Sequence, residues 1–297
     1  MGTETEVHTY EDIDWLALWQ NARQSSPAPP GDSRRWDKRA SGFMARTARS
    51  PYITHLISQL NITRKSTILD VGCGPGTLAI PLARRAGKVT AVDYSEEMLN
   101  LLKSRAGKAA LKNIVPIRCA WEDDWRHHGI GIHDIAIASR SLNVADLGAA
   151  IDTLIEHASH QVVLVERISP TPRDPEAFAA VGRPFKHGPD YRYTLNILIS
   201  KGIHPEVHHI EMSGHQRFAT MDEAVAAYAW MFDDLTNEEY DRLSSYVKTR
   251  VVHDHDGNLV VARKYPQRWA MISWQTQRAS DDQPSSPPPR SPENQSA

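Results

Sequence analysis

A glycine-rich turn constrains this chain more than any other feature. Residues 68–77 read ILDVGCGPGT: an apolar run ends at Asp70, glycines follow at Gly72, Gly74 and Gly76, and an apolar pattern resumes after Thr77. Glycines where a strand passes into a helix let the backbone turn sharply, and let a bound molecule approach without meeting a Cβ. On both sides of the turn the sequence alternates. STILDVG, KVTAVD, NIVPIRC, HDIAIAS and QVVLVERI are short apolar runs, whereas TLAIPLARRAG, SEEMLNLLKSRAGKAA and DLGAAIDTLIEHAS carry helical spacing. Apolar runs of about 4–6 residues between helices of about 10–15 predict a parallel sheet covered on both faces. Within them, Gly87 is expected to end the first helix, and Ser95 to cap the second with Glu96 and Glu97 in its first turn. PDYRYTLNILISKGI reads as a helix, and HPEVHHIEM and RWAMISW add two late strands. The predicted fold is doubly wound α/β, with a mostly parallel, seven-stranded sheet.

The rest of the chain surrounds that sheet. YEDIDWLALWQNAR predicts a short amphipathic helix, and residues after it predict two more helices broken by Pro51. The stretch from Phe218 to Ala262 reads as helical, ending in a hairpin around Asp256-Gly257. Eight of the 19 prolines lie in two patches, SSPAPPGD and the last 14 residues, which read as a linker and a disordered end. The expected division is residues 1–65 as an N-terminal helical cap with a Pro-rich linker, residues 66–278 as the sheet domain with an insertion at about 215–265, and residues 279–297 as a tail.

Composition narrows the class. A formal charge of −2 argues against a dedicated nucleic-acid partner. Two cysteines make neither a disulfide framework nor a tetrathiolate zinc site, so a reducing cytoplasm is expected. No apolar run approaches the roughly 18 residues of a membrane span, and the polar start fits neither a secretory leader nor a myristoylation pattern. The chain has 14 histidines, but neither the pairs His127-His128 and His208-His209 nor His253 and His255 have closed-site spacing, so no metal is expected.

Asp93, 21 residues after Gly72, ends the second strand, where a carboxylate can accept both hydroxyls of a ribose. The turn is G-x-G-x-G rather than the dinucleotide G-x-G-x-x-G, because Thr77 stands where the third glycine would fall. Asp70 would repel a pyrophosphate and suits a cationic amino group. Together the strand, Asp70, the glycines and Asp93 resemble the class I S-adenosylmethionine-dependent methyltransferases, over about Ile68 to Glu211. The resemblance implies that Asp70 and the loop of Gly72, Cys73, Gly74 and Gly76 hold the methionine end of the cofactor and Asp93 the ribose. It implies that Tyr94, Trp121 and Glu122 cover the ribose and adenine, with Ala120 where many relatives place an aspartate, and that Ser139 lies beside the sulfonium.

The same resemblance implies transfer of a methyl group to an acceptor, leaving S-adenosylhomocysteine. The acceptor region is expected from the N-terminal helices and the segment after the fifth strand, with Trp36, Phe43, Arg140 and Tyr191 as binding residues, Tyr52 beside them, and His187 as a candidate general base. Near-neutral charge and aromatic flanking segments favour a small-molecule acceptor. A protein or nucleic-acid methyltransferase and a non-catalytic S-adenosylmethionine-binding protein are the alternatives.

Overall fold

The structure, a computed structural model, describes residues 8–24, 51–212 and 217–276. Strands β1 (Thr67–Val71), β2 (Lys88–Asp93), β3 (Ile114–Arg118), β4 (His133–Ser139), β5 (Ala158–Arg167), β6 (Glu206–Glu211) and a late strand, Arg268–Gln275, form one sheet. Its order is β3-β2-β1-β4-β5-late strand-β6. The first five strands are parallel, and the late strand runs antiparallel to both β5 and β6. This is the predicted seven-stranded, mostly parallel architecture. The order reverses between β1 and β4, and open α/β sheets bind ligands outside the carboxyl ends of strands at such a point.

Both faces are covered. On one, α2 (Pro51–Ser58), α3 (Ala79–Ala83) and α4 (Glu96–Lys108) bury Leu56, Leu82 and Leu102 against Ile68, Val89, Ile137 and Val163. On the other, α1 (Trp15–Gln24), α5 (Leu147–Glu156) and α7 (Tyr191–Ser200) bury Trp19, Ile151, Leu154 and Leu198 against Leu69, Ala136, Leu164 and Ile272. Strand residues alternate strictly between the two clusters, as period-2 geometry requires. Each fully buried leucine removes enough apolar surface to contribute about 1.5–3 kcal/mol. The Ser95 hydroxyl caps α4 by accepting from the Met98 N–H at 3.2 Å, as its sequence predicts. The first crossover helix is shorter than expected, ending at Ala83 rather than at Gly87. Pro81 within it has no N–H, so the Thr77 carbonyl receives no i+4 bond.

A second lobe has its own core. Helix α6 (Pro175–Val181), between β5 and α7, packs with α8 (Met221–Ala229) and α9 (Asn237–Arg250) over a small sheet. That sheet joins β7 (Arg217–Phe218), β9 (Leu259–Val261) and β8 (Val251–His253) in that order, and the late strand is numbered β10 accordingly. The hairpin around Gly257 is present, with Gly257 at φ +80°. The stretch from Phe218 is not helical at its start, because Phe218 pairs with Leu259 across the sheet. The lobe thus draws on two separate insertions. No helix among the described residues is long and apolar enough to cross a membrane.

Candidate active site

The glycine turn is locked from three sides. Backbone N–H groups of Gly72 and Cys73 both donate to the Val92 carbonyl, at 2.8 and 3.0 Å. Gly72 sits at φ +68°, and a Cβ there would lie 2.2 Å from the Ser141 Cβ. Ser141 is fixed in turn, its hydroxyl donating to the Val71 carbonyl at 2.7 Å. From α4, the Arg105 guanidinium donates to the Pro75 carbonyl at 2.5 Å.

Two carboxylates frame this turn. Asp93 accepts from the Gly74 N–H at 2.8 Å and the Ser95 N–H at 2.9 Å, one bond to each oxygen. A carboxylate only accepts when ionised, which suits it to the hydroxyls of a ribose. Asp70 is only 2% exposed and accepts from the Ala79 N–H, but its Oδ2 has no hydrogen-bond partner. Burial, reinforced by the nearby Asp93 charge, pushes the Asp70 carboxyl up to about 7. A buried carboxylate oxygen without a donor is costly, and a ligand ammonium group would satisfy it. Asp70 therefore fits the amino group of S-adenosylmethionine and Asp93 its ribose. Burial and the two carboxylates push the Cys73 thiol well up, so it stays protonated beside them.

On the adenine side, the Trp121 indole N–H donates to the Ser141 carbonyl at 3.1 Å, tying the loop after β3 to the loop after β4. Its ring lies 5.4 Å from that of Trp125. Glu122 is exposed and within electrostatic reach of Arg23 on α1, whose guanidinium donates to the Asn143 side chain at 3.0 Å. Tyr94 follows Asp93 directly, half-buried at the same edge. Cys119, Asp123 and His128 form one compact group of potential metal ligands among the described residues. There, burial and the facing aspartates push the Cys119 thiol up to about 12.

Beyond β4 the cleft changes character. The Ser139 and Tyr52 hydroxyls hydrogen-bond, bringing α2 onto the carboxyl edge of the sheet. Arg140 follows with φ +59°, its guanidinium 4.8 Å from the Tyr52 ring and 5.1 Å from the Trp269 ring. The two rings meet edge-on at 6.2 Å, and the guanidinium packs against both by cation–π contact. His187 is exposed, its Nδ1 hydrogen-bonded to the Ser169 hydroxyl at 2.8 Å. Tyr191 on α7 meets the His209 ring of β6 edge-on at 5.7 Å. Trp36 and Phe43 lie outside the described residues.

Glu166, absent from the sequence-based candidates, is the penultimate residue of β5 at this same edge, on the sheet face opposite Ser139. It is partly accessible to solvent, yet dehydration by the surrounding protein pushes its carboxyl up to about 7. The signal was present in QVVLVERI, where an acid closes an apolar strand as Asp70 does in STILDVG.

Fold and site together define a Rossmann-like enzyme domain built for a nucleoside cofactor with a cationic amino group. The family model described as a methyltransferase domain matches residues 68–160. A solved structure of a candidate methyltransferase from Bacillus halodurans C-125 superposes with a TM-score of 0.52 at 14% identity, over 75% of this chain and 97% of that one. A Haemophilus influenzae protein of undescribed function is 29% identical over 276 residues, 91% of this chain and 99% of its own length. A ubiquinone biosynthesis O-methyltransferase of Hydrogenovibrio crunogenus is 37% identical over 68 residues, 23% of this chain and 28% of its own. Residues 68–160 thus carry a methyltransferase domain, on a fold shared with a solved candidate methyltransferase.

Proposed function

We propose that the protein methylates a small-molecule acceptor, held where β4 and β5 end beneath α2 and the second lobe. The observation that carries this reading is the packing around Arg140. Tyr52 from α2 and Trp269 from β10 both pack against it at the end of β4, so aromatic side chains from two other elements flank this position. Macromolecular substrates need an exposed docking face, commonly basic for nucleic acids, and the formal charge is −2. The partial match to an O-methyltransferase acting in ubiquinone biosynthesis is in keeping with a small acceptor.

Bound S-adenosylmethionine supplies an activated methyl group on a sulfonium. The protein's own contribution is positioning. Asp70 neutralises the amino group and Asp93 fixes the ribose, while Trp121, Glu122 and Tyr94 wall the adenine. Ser139 marks the level of the sulfonium, and Arg140 orients an anionic group of the acceptor. In-line displacement depends chiefly on alignment, and holding two reactants in a near-attack geometry can supply on the order of 7–11 kcal/mol. The two insertions of the second lobe, with α1 and α2, act as the cover that excludes water, and the protein works in the cytoplasm.

The test is incubation with S-adenosylmethionine labelled in the methyl group, together with size-fractionated cell extract. Label is expected in the low-molecular-mass fraction. Label confined to protein or nucleic acid would overturn the small-molecule reading.

A further inference from the structure

The loop that follows β3 brings three metal-binding side chains together. Cys119, directly after the strand, is buried, and its backbone N–H donates to the Asp93 carbonyl at 3.2 Å. Four residues on, Asp123 turns back, its Oδ2 accepting from the Ala120 N–H at 2.7 Å. Buried Trp125 anchors the next turn. Its indole N–H donates to the Ala120 carbonyl at 3.0 Å, and its own carbonyl accepts from the Ile130 N–H at 2.9 Å. Gly129, at φ +72°, lies within that turn, and His128 Nε2 stands 3.9 Å from Asp123 Oδ2. The ligand atoms of Cys119, Asp123 and His128 all lie within 4.8 Å of one another. The His127-His128 pair has no closed-site spacing in sequence, and the fold selects His128 alone from it.

Sulfur, an imidazole nitrogen and one carboxylate oxygen form a donor set that suits zinc, whereas magnesium and calcium take oxygen ligands. Zinc bonds of about 2.0–2.3 Å in a tetrahedral array set neighbouring ligand atoms roughly 3.3–3.8 Å apart. The 3.9 Å between His128 and Asp123 is close to that separation. Three protein ligands leave the fourth position to water. The surroundings also favour a cation, because the Cys119 thiol bonds to the Asp123 carboxylate and Asp124 adds negative charge nearby.

We propose that Cys119, Asp123 and His128 form a site for one divalent cation of the zinc kind, which clamps the loop assigned above to the adenine. The metal takes the place of the Cys119 thiol proton, which passes to solvent, and its charge offsets the carboxylate. Trp121 and Glu122 lie between the first two ligands, so the cation closes a short stretch of chain around them. The clamped loop reaches the rest of the site through two bonds, from Cys119 N–H to the Asp93 carbonyl and from the Trp121 indole to the Ser141 carbonyl. Closing it beforehand removes conformational freedom that the cofactor would otherwise have to remove on binding. Metal and cofactor should therefore each bind more tightly in the presence of the other. The inference stands apart from the identity of the methyl acceptor.

The experiment has two arms on the full chain, first stripped of metal with a chelator. In the first, zinc is titrated by calorimetry and cobalt(II) by absorption spectroscopy. One equivalent of zinc should bind, and cobalt should give a thiolate charge-transfer band. Cys119→Ala should abolish the band. Asp123→Asn and His128→Ala, at exposed positions, should weaken zinc at least about tenfold. In the second, calorimetric affinity for S-adenosylmethionine is compared with and without zinc. It should tighten about fivefold or more in wild type and stay unchanged in His128→Ala. A cobalt band that survives Cys119→Ala, a His128→Ala zinc affinity within about threefold of wild type, or the absence of stoichiometric zinc binding overturns the site. Zinc binding that leaves the S-adenosylmethionine affinity of wild type unchanged overturns the clamp alone. Absence of S-adenosylmethionine binding in every condition overturns the clamp and the cofactor reading together.

Discussion

Replacing Gly72 with alanine tests how tightly the cofactor turn is built. At φ +68° a non-glycine residue occupies the left-handed region, costing about 1–2 kcal/mol. The new Cβ would also stand 2.2 Å from the Ser141 Cβ and 2.9 Å from its Oγ, where ordinary carbon contacts are about 3.5–4.0 Å. Ser141 cannot withdraw without breaking its 2.7 Å bond to the Val71 carbonyl. Overpacking adds about 1–3 kcal/mol and loss of that hydrogen bond about 1 kcal/mol. A total near 4 kcal/mol is a large share of a typical 5–15 kcal/mol. At roughly 2–4 °C per kcal/mol, the melting temperature should drop by about 10 °C. Calorimetry should show weakened S-adenosylmethionine binding in the same variant. A thermal double-mutant cycle isolates the clash: Ser141→Gly should recover about 2 kcal/mol in the Gly72→Ala background, whereas Ser141→Ala, which keeps the Cβ, should not. A Gly72→Ala melting temperature within about 2 °C of wild type, or equal rescue by both Ser141 variants, would refute the steric argument.

The remaining expectations concern charge. Folding raises the Asp70 carboxyl from the ordinary aspartate range to about 7, so its stabilising contribution is full in acid and is lost as pH rises toward neutrality. The loss is on the order of 4 kcal/mol. Asp70→Asn should flatten that decline and melt above wild type near pH 8, while binding S-adenosylmethionine at least about tenfold more weakly; a variant less stable than wild type at that pH would contradict the buried-charge account. Arg183 holds the Glu239 carboxyl down to about 2, with Thr236 N–H donation reinforcing it. That contribution is present above the ordinary glutamate range and lost only as pH falls toward 2. Arg183→Ala should therefore bring forward the acid loss of amide protection in α9, read by hydrogen exchange, with an unchanged acid midpoint as the contrary result.

Much of this protein was legible without coordinates. Strand periodicity, glycine placement and the strand-ending Asp70 and Asp93 are local properties, set by backbone sterics and by which faces must be dry. They determined the sheet and its approximate boundaries, and with them the position of Asp70 and Asp93 at its carboxyl edge. The Ser95 cap and the Gly257 hairpin were local as well. The first crossover helix runs through Pro81 and closes early, where the Arg85 and Ala86 N–H groups both turn back to the Leu82 carbonyl.

What only the tertiary structure decided depends on contacts between segments far apart in the chain. Phe218 reads as part of a helical stretch, but its pairing with Leu259 makes it a strand residue. Helix α6 looked like part of an acceptor loop until its packing with α8 and α9 placed it in a second core. Arg140 could have faced solvent; Tyr52, 88 positions earlier, and Trp269, 129 positions later, pack against it instead. Glu166 reads as an ordinary strand-end acid, and only the enclosing protein dehydrates its carboxyl. Sequence specifies which groups are present and their local geometry, whereas dehydration and the field of neighbouring charges arise only once distant segments close around them.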